Sequence, residues 1–286
     1  MAAIKYREDL AKAYDGYERI MNNREAREAY LKDAEDKGIY NRLMELIKER
    51  EYKRAWIMDR NLNDYNRALK TDLVDLISKK EAEMRLAGEK GPVPILDIGI
   101  GNAFADAELK KIFGDRIHIT GMCVAEPPEE VRKRVDRLFV GSIDFKSPVF
   151  RPNERYKVII GLMGPSYAYS QAMVVQRICN MLGDKGAALV HLRKSVLDYF
   201  RYQNIADKLK ASGQFRAGVF LSKTEKHYAE PERIICMQIE RRKLGPVVSL
   251  KKEITRDWRR AMKKKLKVPL SPRKKGKFPK TGPSGG

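Results

Sequence analysis

The sequence predicts an α/β protein with a seven-stranded, mostly parallel sheet that carries helices on both faces. Short apolar runs alternate with helical stripes over residues 91–240, and such alternation is typical of parallel sheets. The last two runs follow each other with no helical stripe between them, which indicates one antiparallel strand at an edge. Residues 1–90 show only helical spacing, so an α-helical N-terminal segment precedes the sheet.

The elements follow from the spacing of apolar residues and from the glycines and prolines between them. The predicted strands cover residues 94–99, 117–124, 137–143, 156–163, 186–192, 215–222 and 233–240. The predicted helices between them cover residues 105–112, 128–136, 171–182 and 195–211. Glycine and proline at residues 88–92 mark the boundary between the N-terminal segment and this α/β domain.

The N-terminal segment ends in a helical stripe of Tyr65, Leu69, Leu73 and Leu76. Asp64 directly precedes the stripe, so we expect it to cap a helix. The segment holds seven of the 13 tyrosines. Aromatic residues at helical spacing are typical of packing between helices, and a lid or substrate-binding surface is the functional alternative.

Positive charge is concentrated in a third segment, residues 241–286. The chain has 59 Lys and Arg against 38 Asp and Glu, a net charge of +21, and this segment holds 17 of the basic and 2 of the acidic residues. Apolar residues recur there at every fourth position from Leu250 to Leu266, between Ser249 as a helix cap and Pro269 as a stop. The segment is therefore predicted to be a basic amphipathic helix followed by a disordered tail.

The cationic face of this helix indicates a polyanionic partner, and we expect RNA. Its basic residues are Lys251, Lys252, Arg256, Arg259, Arg260, Lys263, Lys264, Lys265 and Lys267. An anionic membrane surface and a calmodulin-like groove are the alternatives. We expect part of the apolar stripe to dock on the domain core.

Composition excludes several classes of protein. No apolar run reaches the roughly 18 residues of a membrane span, and the charged first ten residues do not resemble a secretory signal. Three widely spaced cysteines and three isolated histidines predict neither a disulfide framework nor a metal site. An intracellular protein, cytoplasmic or nuclear, is expected.

The strongest motif is Leu-Asp-Ile-Gly-Ile-Gly-Asn-Ala at residues 96–103, between a strand and a helix. Glycine permits a tight turn and a close approach of a ligand to the main chain. The dinucleotide fingerprint requires glycine or alanine where this chain has Phe104, and the lysine of a phosphate-binding loop is missing. The turn therefore matches neither nucleotide-binding motif.

An acidic residue two positions before Gly-x-Gly, directly after an apolar strand, resembles the first motif of class I S-adenosylmethionine-dependent methyltransferases. The likeness covers residues 60–240 and includes the order of elements and the late strand pair. It implies a Rossmann-like methyltransferase domain at residues 91–240. It also implies that Asp97, Gly99, Gly101 and Ala103 hold the methionine and ribose portions of S-adenosylmethionine.

Other positions depart from the pattern of that family. Cys123 stands where a carboxylate usually ends the second strand, and Glu126 follows three residues later. After the third strand the chain has Ser142 where the family often has aspartate, and Asp144 lies two residues on. These four residues are the further candidates for cofactor contacts, and the displaced carboxylates leave a non-catalytic methyltransferase fold as an alternative.

The resemblance places the methyl acceptor at the end of the fourth strand. The candidates there are Met163, Gly164, Pro165 and Tyr167, joined by His191 from the fifth strand. Tyr167 has the ring to stack on a base, whereas Gly164 has no side chain to orient an amine. A plain turn at residues 164–167 and a packed His191 are the alternatives.

Three functions are compatible with these patterns. The first is an S-adenosylmethionine-dependent methyltransferase that acts on RNA or an RNA-bound target. The second is a catalytically inactive, methyltransferase-like RNA-binding or assembly protein. The third is a small-molecule methyltransferase whose N-terminal helices cover the substrate.

Overall fold

A computed structural model of the chain describes nine stretches of the sequence. They are residues 60–123, 127–140, 143, 154–162, 164–168, 170–192, 198–223, 233–245 and 248–257. Most of the predicted N-terminal segment and of the basic tail therefore lies outside the described residues. The predicted domain boundaries stay predictions.

The described residues form alternating helices and strands after an initial pair of helices. The helices are α1 (Leu62–Leu69), α2 (Leu73–Leu86), α3 (Phe104–Phe113), α4 (Glu129–Arg132), α5 (Gln171–Met181), α6 (Asp198–Ala211) and α7 (residues 251–257). The strands are β1 (Val93–Ile98), β2 (Ile117–Cys123), β3 (Arg137–Val140), β4 (Tyr156–Gly161), β5 (Leu182–Leu192), β6 (Phe215–Lys223) and β7 (Arg233–Arg241).

All seven strands join one sheet in the order β3-β2-β1-β4-β5-β7-β6. The first five strands are parallel, and β7 lies antiparallel between β5 and β6. The predicted fold class, a mostly parallel seven-stranded sheet with a late antiparallel strand, is confirmed. The antiparallel strand itself is internal, so its predicted place at an edge is wrong.

Helices cover both faces of the sheet and bury two apolar layers. One layer takes its helical residues from α1 to α4, including Leu69, Ile77 and Leu109. The other takes them from α5, α6 and the segment leading into α7, including Ile178 and Leu250. Because α1 and α2 pack on the same layer as α3, residues 62–86 share the core of the α/β domain.

The stripe from Tyr65 to Leu76 belongs to two helices. Lys70 adopts a left-handed conformation (φ 51°) and ends α1, and Asp72 caps the start of α2. The expected cap at Asp64 is wrong: Asn61 is the cap, and the Asp64 carboxylate accepts a hydrogen bond from the Asn61 backbone N–H. The spacing of apolar residues continues across the turn between α1 and α2, because α1 ends and α2 begins with a buried apolar residue.

The helix predicted at residues 128–136 is shorter than expected. It ends at Arg132 because the following chain joins the sheet. The backbone N–H of Asp136 donates to the Ile119 carbonyl at 3.0 Å, and the Ile119 N–H donates to the Asp136 carboxylate at 2.7 Å. These two hydrogen bonds hold Asp136 against β2 directly before β3 begins, so residues 133–136 form turns instead of a further helical turn.

The start of the basic helix docks on the domain, as the apolar stripe predicts. Leu250 is fully buried, and Ile254 packs against the core around α5 and α6. Among the described residues, no helix combines the length and apolar character that a membrane span requires. No cluster of metal-ligating side chains occurs within the same residues, and all three cysteines are free and buried.

Candidate functional site

The carboxyl ends of β1 and β4 form a switch point in the sheet. The two strands are neighbours, yet the chain leaves β1 toward β2 and leaves β4 toward β5, on opposite sides. Crossovers that diverge in this way leave a crevice outside the strand ends, where α/β proteins bind ligands. The predicted glycine turn follows β1 at this switch point.

Gly99 is the position of the turn that most requires glycine. Its φ is +91°, a conformation that side chains rarely adopt. A Cβ on Gly99 would lie 2.5 Å from the Cα of Gly164, which follows β4. A Cβ on Gly164 would in turn lie 2.3 Å from the carbonyl oxygen of Ile98. The loops after β1 and β4 therefore touch through their backbones at the switch point.

The backbone amides of the turn are engaged within the chain. The N–H groups of Gly99 and Ile100 donate to the Met122 carbonyl at 2.8 and 3.2 Å. At the N-terminus of α3, the N–H of Ala105 donates to the Arg60 carbonyl at 3.2 Å. A phosphate-binding turn needs such amides free for the ligand, so this turn does not suit a phosphate.

Asp97 lies at the end of β1 and is fully buried. Its Oδ2 accepts a 2.8 Å hydrogen bond from the hydroxyl of Tyr65 on α1. Its Oδ1 accepts no hydrogen bond from an N–H or hydroxyl group of the described residues. Helix α1 thus closes one side of the carboxyl group, which also shares a hydrogen bond with the carboxyl of Asp106.

A second buried carboxyl, that of Asp106 on α3, lies next to Asp97. Burial raises the pKa of Asp97 to about 7, against the hydrogen bond from Tyr65 and the positive charge of Arg60. Burial also raises the pKa of Asp106 well above its usual range, and the charge of Asp97 adds to this effect. Two adjacent carboxyl groups in an apolar setting hold at least one proton at neutral pH.

Arg60 joins three parts of the site. Its guanidinium donates to the Leu162 carbonyl, just after β4, at 3.0 Å, while its own carbonyl accepts from α3. Its charge also lowers the pKa values of Asp97 and His191. The residue that leads into α1 therefore fixes the loops after β1 and β4 to each other.

His191 is buried on β5, opposite Cys236 of β7. Burial, with a smaller contribution from the charge of Arg60, lowers its pKa to about 3. Its Nδ1 has no partner among the described residues. A neutral, enclosed imidazole of this kind is a weak base, so the geometry favours the packed histidine over the general base.

The loop after β4 forms a 3₁₀ turn over Gly164–Tyr167. The buried side-chain amide of Gln171 holds this turn from α5: its Nε2 donates to the carbonyls of Pro165 and Ala168 at 3.1 and 2.9 Å. Gly164 serves the close backbone approach to Gly99. The loop on the acceptor side is therefore a turn that is held in place by hydrogen bonds and by its contact with the glycine turn.

The predicted site residues fall into three groups. Asp97, Gly99, Gly101 and Ala103 follow one another at the end of β1 and in the turn after it, and Gly99 touches Gly164 at the switch point, with Pro165 next in the chain. Cys123 is buried at the end of β2 and gives that position a thiol where the resemblance expects a carboxylate. The candidates outside the described residues are Met163, Glu126, Ser142 and Asp144, together with the Tyr167 side chain.

The predicted nucleic-acid residues are described in part. Lys251, Lys252 and Arg256 are exposed on α7, away from the layer that Leu250 enters. The others lie outside the described residues: Arg259, Arg260, Lys263, Lys264, Lys265 and Lys267.

Three residues of the site escaped sequence reasoning. Tyr65 was part of a helical stripe, and a packing stripe does not reveal a hydroxyl directed at a carboxyl group. Asp106 follows the glycine turn by five residues, in the first turn of a helix where an acidic residue is ordinary. Arg60 precedes any recognisable motif, and its role depends on contacts 102 residues apart in sequence.

No protein-family model matches the chain, and no curated protein matches it. Similar solved structures include the plantazolicin methyltransferase BpumL in complex with a pentazolic desmethylPZN analog and SAH, at 12% identity. The match covers 60% of this chain and 84% of that chain, with a TM-score of 0.42.

Two further solved structures show similar levels of likeness. The magnesium protoporphyrin IX methyltransferase ChlM from Synechocystis PCC 6803, with bound SAM, is 10% identical over 66% of this chain and 89% of that chain, with a TM-score of 0.39. The [4+2]-cyclase SpnF is 14% identical over 60% of this chain and 80% of that chain, with a TM-score of 0.40. These likenesses are too distant to say anything about activity.

The strand order decides the fold. Five parallel strands in the order 3-2-1-4-5, followed by the antiparallel pair of β7 and β6, agree with the mostly parallel seven-stranded sheet and the late strand pair that the sequence resemblance implies. The chain has the class I methyltransferase fold. Because one fold supports several activities, the function is argued from the site.

Proposed function

We propose that the chain binds S-adenosylmethionine at the carboxyl ends of β1 and β4 and transfers its methyl group to RNA or an RNA-bound target. The cofactor part is supported above all by Asp97, a buried carboxyl that ends β1 at the switch point and shares a hydrogen bond with the carboxyl of Asp106. Two carboxyl groups that share a hydrogen bond keep further acceptor positions, which an ammonium or hydroxyl donor of a ligand can use.

The site offers a ligand carboxyl acceptors rather than free backbone donors. Asp97 and Asp106 are both buried there, and the amide of Ala105 at the helix N-terminus is engaged by Arg60. S-adenosylmethionine has an ammonium group and ribose hydroxyls as donors, and its reactive sulfur is positively charged. The residues that would hold it are Asp97, Gly99, Gly101 and Ala103.

Bound S-adenosylmethionine supplies a methyl group for an in-line displacement, which depends on alignment and water exclusion more than on acid-base help. The chain contributes alignment through the rigid contact between the loops after β1 and β4. Gly164 and Pro165 form the wall on the acceptor side, and Gln171 holds their turn. The neutral His191, buried on β5, adds no charge that would compete with the sulfonium.

Calorimetric titration of the full chain with S-adenosylmethionine and S-adenosylhomocysteine tests the cofactor. Wild type should bind both at about micromolar affinity, and Asp97→Asn should weaken binding about tenfold, since the amide of asparagine accepts less strongly. Asp207→Asn, which removes an exposed carboxylate paired with Lys210, is the matched control and should leave binding unchanged. If the titration shows no heat of binding even at millimolar cofactor, that result contradicts the proposal.

The RNA part is supported by the cationic sequence that begins on α7. Its first turns expose Lys251, Lys252 and Arg256, while the opposite side of the helix is docked. Contacts with phosphates release counterions. The logarithm of the affinity for a single strand should therefore fall linearly with the logarithm of the salt concentration, with a slope of about −0.7 per phosphate contact.

Radiolabelled methyl transfer onto total RNA, total protein and metabolite extract tests the acceptor. Label should enter nuclease-sensitive material. Replacing Lys251, Lys252 and Arg256 by Gln should lower RNA affinity and flatten its salt slope by up to about 2. A control with the exposed Lys90, Lys111 and Lys133 replaced by Gln loses equal charge elsewhere and should retain both properties.

The two alternatives give different results in the same assay. Label in metabolites alone contradicts the RNA acceptor and supports a small-molecule methyltransferase. Cofactor binding with label in none of the three fractions supports the inactive, assembly-type protein, which the thiol of Cys123 at a usual carboxylate position favours.

A further inference from the structure

The inner side of α7 is acidic as well as apolar. Glu253 and Asp257 are buried, with 7% and 5% of their surfaces exposed, although they are the two acidic residues of a strongly basic segment. Buried carboxylates require partners. The two residues have different partners: the contacts of Glu253 anchor α7, and those of Asp257 position α5.

Glu253 is an anchor to α6. Its carboxylate pairs with Lys208, and its carbonyl accepts from Arg201 at 3.5 Å. Burial would raise the pKa of Glu253, but the hydrogen bond from Lys208, a backbone hydrogen bond and the charges of Lys208 and Arg256 together hold the pKa below its usual value. These contacts fix α7 to α6 and do not involve α5.

Asp257 reaches the N-terminus of α5. Its Oδ2 accepts from the Ser170 hydroxyl at 3.0 Å and from the Ala172 N–H at 3.1 Å, and its carboxylate pairs with Arg201. Helix α5 has no acidic residue in its own first turn. Asp257 therefore supplies, from 85 residues away, the anion that a helix N-terminus favours.

Between the two α5 residues that Asp257 contacts lies Gln171. Its Nε2 donates to the carbonyls of Pro165, Ser166 and Ala168 at 3.1, 3.4 and 2.9 Å. The same turn presses Gly164 against Gly99, with room for hydrogen atoms alone at their Cα atoms. A continuous series of contacts thus runs from α7 through the start of α5 to the glycine turn.

We infer that Asp257 is a positioning residue of the candidate cofactor site: through Ser170 and Ala172 it fixes the start of α5, and Gln171 passes that position to the turn after β4. The inference rests on the proposed function, because it assigns the basic C-terminal helix a role at the cofactor crevice. The exposed side of the helix then carries the cations, and its buried side helps to position the candidate site.

A purely stabilising Asp257 and a positioning Asp257 predict different results. Asp257→Asn removes the charge that holds α5, whereas Glu253→Gln removes an equally buried carboxylate that contacts α6 alone. Both variants should lower the denaturation midpoint. Only Asp257→Asn should raise amide hydrogen exchange over residues 164–172, by about tenfold, since a charge-assisted hydrogen bond contributes about 1.5–3 kcal/mol.

The same two variants are titrated with S-adenosylmethionine in the full chain. Asp257→Asn should weaken binding about tenfold and Glu253→Gln should leave it within about twofold. Equal exchange over residues 164–172 in the two variants overturns the inference. If Asp257→Asn does not fold, Asp257→Glu retains the charge at a shifted position and is measured in its place, with the same criterion.

Failure of the proposed function is distinguishable from failure of this inference. A wild-type chain that binds no cofactor refutes the proposed function, while the exchange measurement still decides whether Asp257 orders the turn. Cofactor binding that is normal in Asp257→Asn, with raised exchange over residues 164–172, removes the role at the site and overturns the inference.

Discussion

The hydroxyl of Tyr65 donates a 2.8 Å hydrogen bond to Oδ2 of Asp97, and both side chains are buried. The bond joins α1 to the residue that opens the glycine turn. It makes the helix before the sheet part of the crevice, although the two residues lie 32 positions apart.

Removal of that hydroxyl tests the bond. Tyr65→Phe should lower the free energy of unfolding by about 1–3 kcal/mol, because it leaves the buried Oδ2 of Asp97 without its donor. Denaturation in urea measures the change. Tyr199→Phe, which removes a partly buried hydroxyl bonded to Gln203 at 3.1 Å, is the control and should cost less than about 1 kcal/mol.

The raised pKa of Asp97 predicts a pH dependence of stability. Between pH 4 and about 7 the folded carboxyl keeps a proton that the unfolded chain releases. Its contribution to stability is therefore complete at low pH and falls as pH rises, by at most about 1.4 kcal/mol per unit. The stability difference between wild type and Asp97→Asn should shrink over this range, and a difference that grows with pH contradicts the raised pKa.

The lowered pKa of His191 predicts a pH dependence of stability with the opposite sign. The folded imidazole is neutral down to a pH of about 3, whereas the unfolded one takes up a proton below about 6.5. Stability from this residue is complete above that value and is lost as pH falls. His191→Gln should remove this loss, measured as unfolding free energies from pH 4 to 7. A wild-type histidine signal that titrates normally in NMR and vanishes in the His191→Gln variant would contradict the lowered pKa of His191.

The contact between the two loops predicts a strong sensitivity to one methyl group. Gly164→Ala should lower the free energy of unfolding by about 3 kcal/mol, because its Cβ would lie 2.3 Å from the Ile98 carbonyl oxygen. Gly218→Ala on β6 meets nothing within 4 Å and should be neutral or stabilising by less than about 1 kcal/mol. The denaturation midpoints of the two variants give the comparison.

The architecture was accessible from sequence because apolar periodicity encodes which face of each element is buried. Strand runs such as residues 156–163 and the stripe through Leu109 needed no knowledge of partners. Boundaries were less accessible where a long-range hydrogen bond decides them: α4 ends early because Asp136 pairs with Ile119 of β2.

The site was accessible only in its backbone. Glycine in a turn after a strand reports a local conformation, so Gly99 and Gly101 were visible in sequence. Asp106 and Asp257 look like ordinary solvated acids in their helices, and their burial depends on neighbours 9 and 85 residues away. Pattern identifies faces, but it does not identify the partner that a buried charge meets.

The position of β7 has a consequence for synthesis of the chain. β6 pairs with β7 alone among the described strands, and β7 also pairs with β5. A nascent chain that has emerged only to Lys223 therefore exposes the backbone edge of β5, an edge open to pairing with other chains. The sheet becomes complete once residues 233–241 leave the ribosome and close that edge from within, so folding of this domain must wait for its final strand.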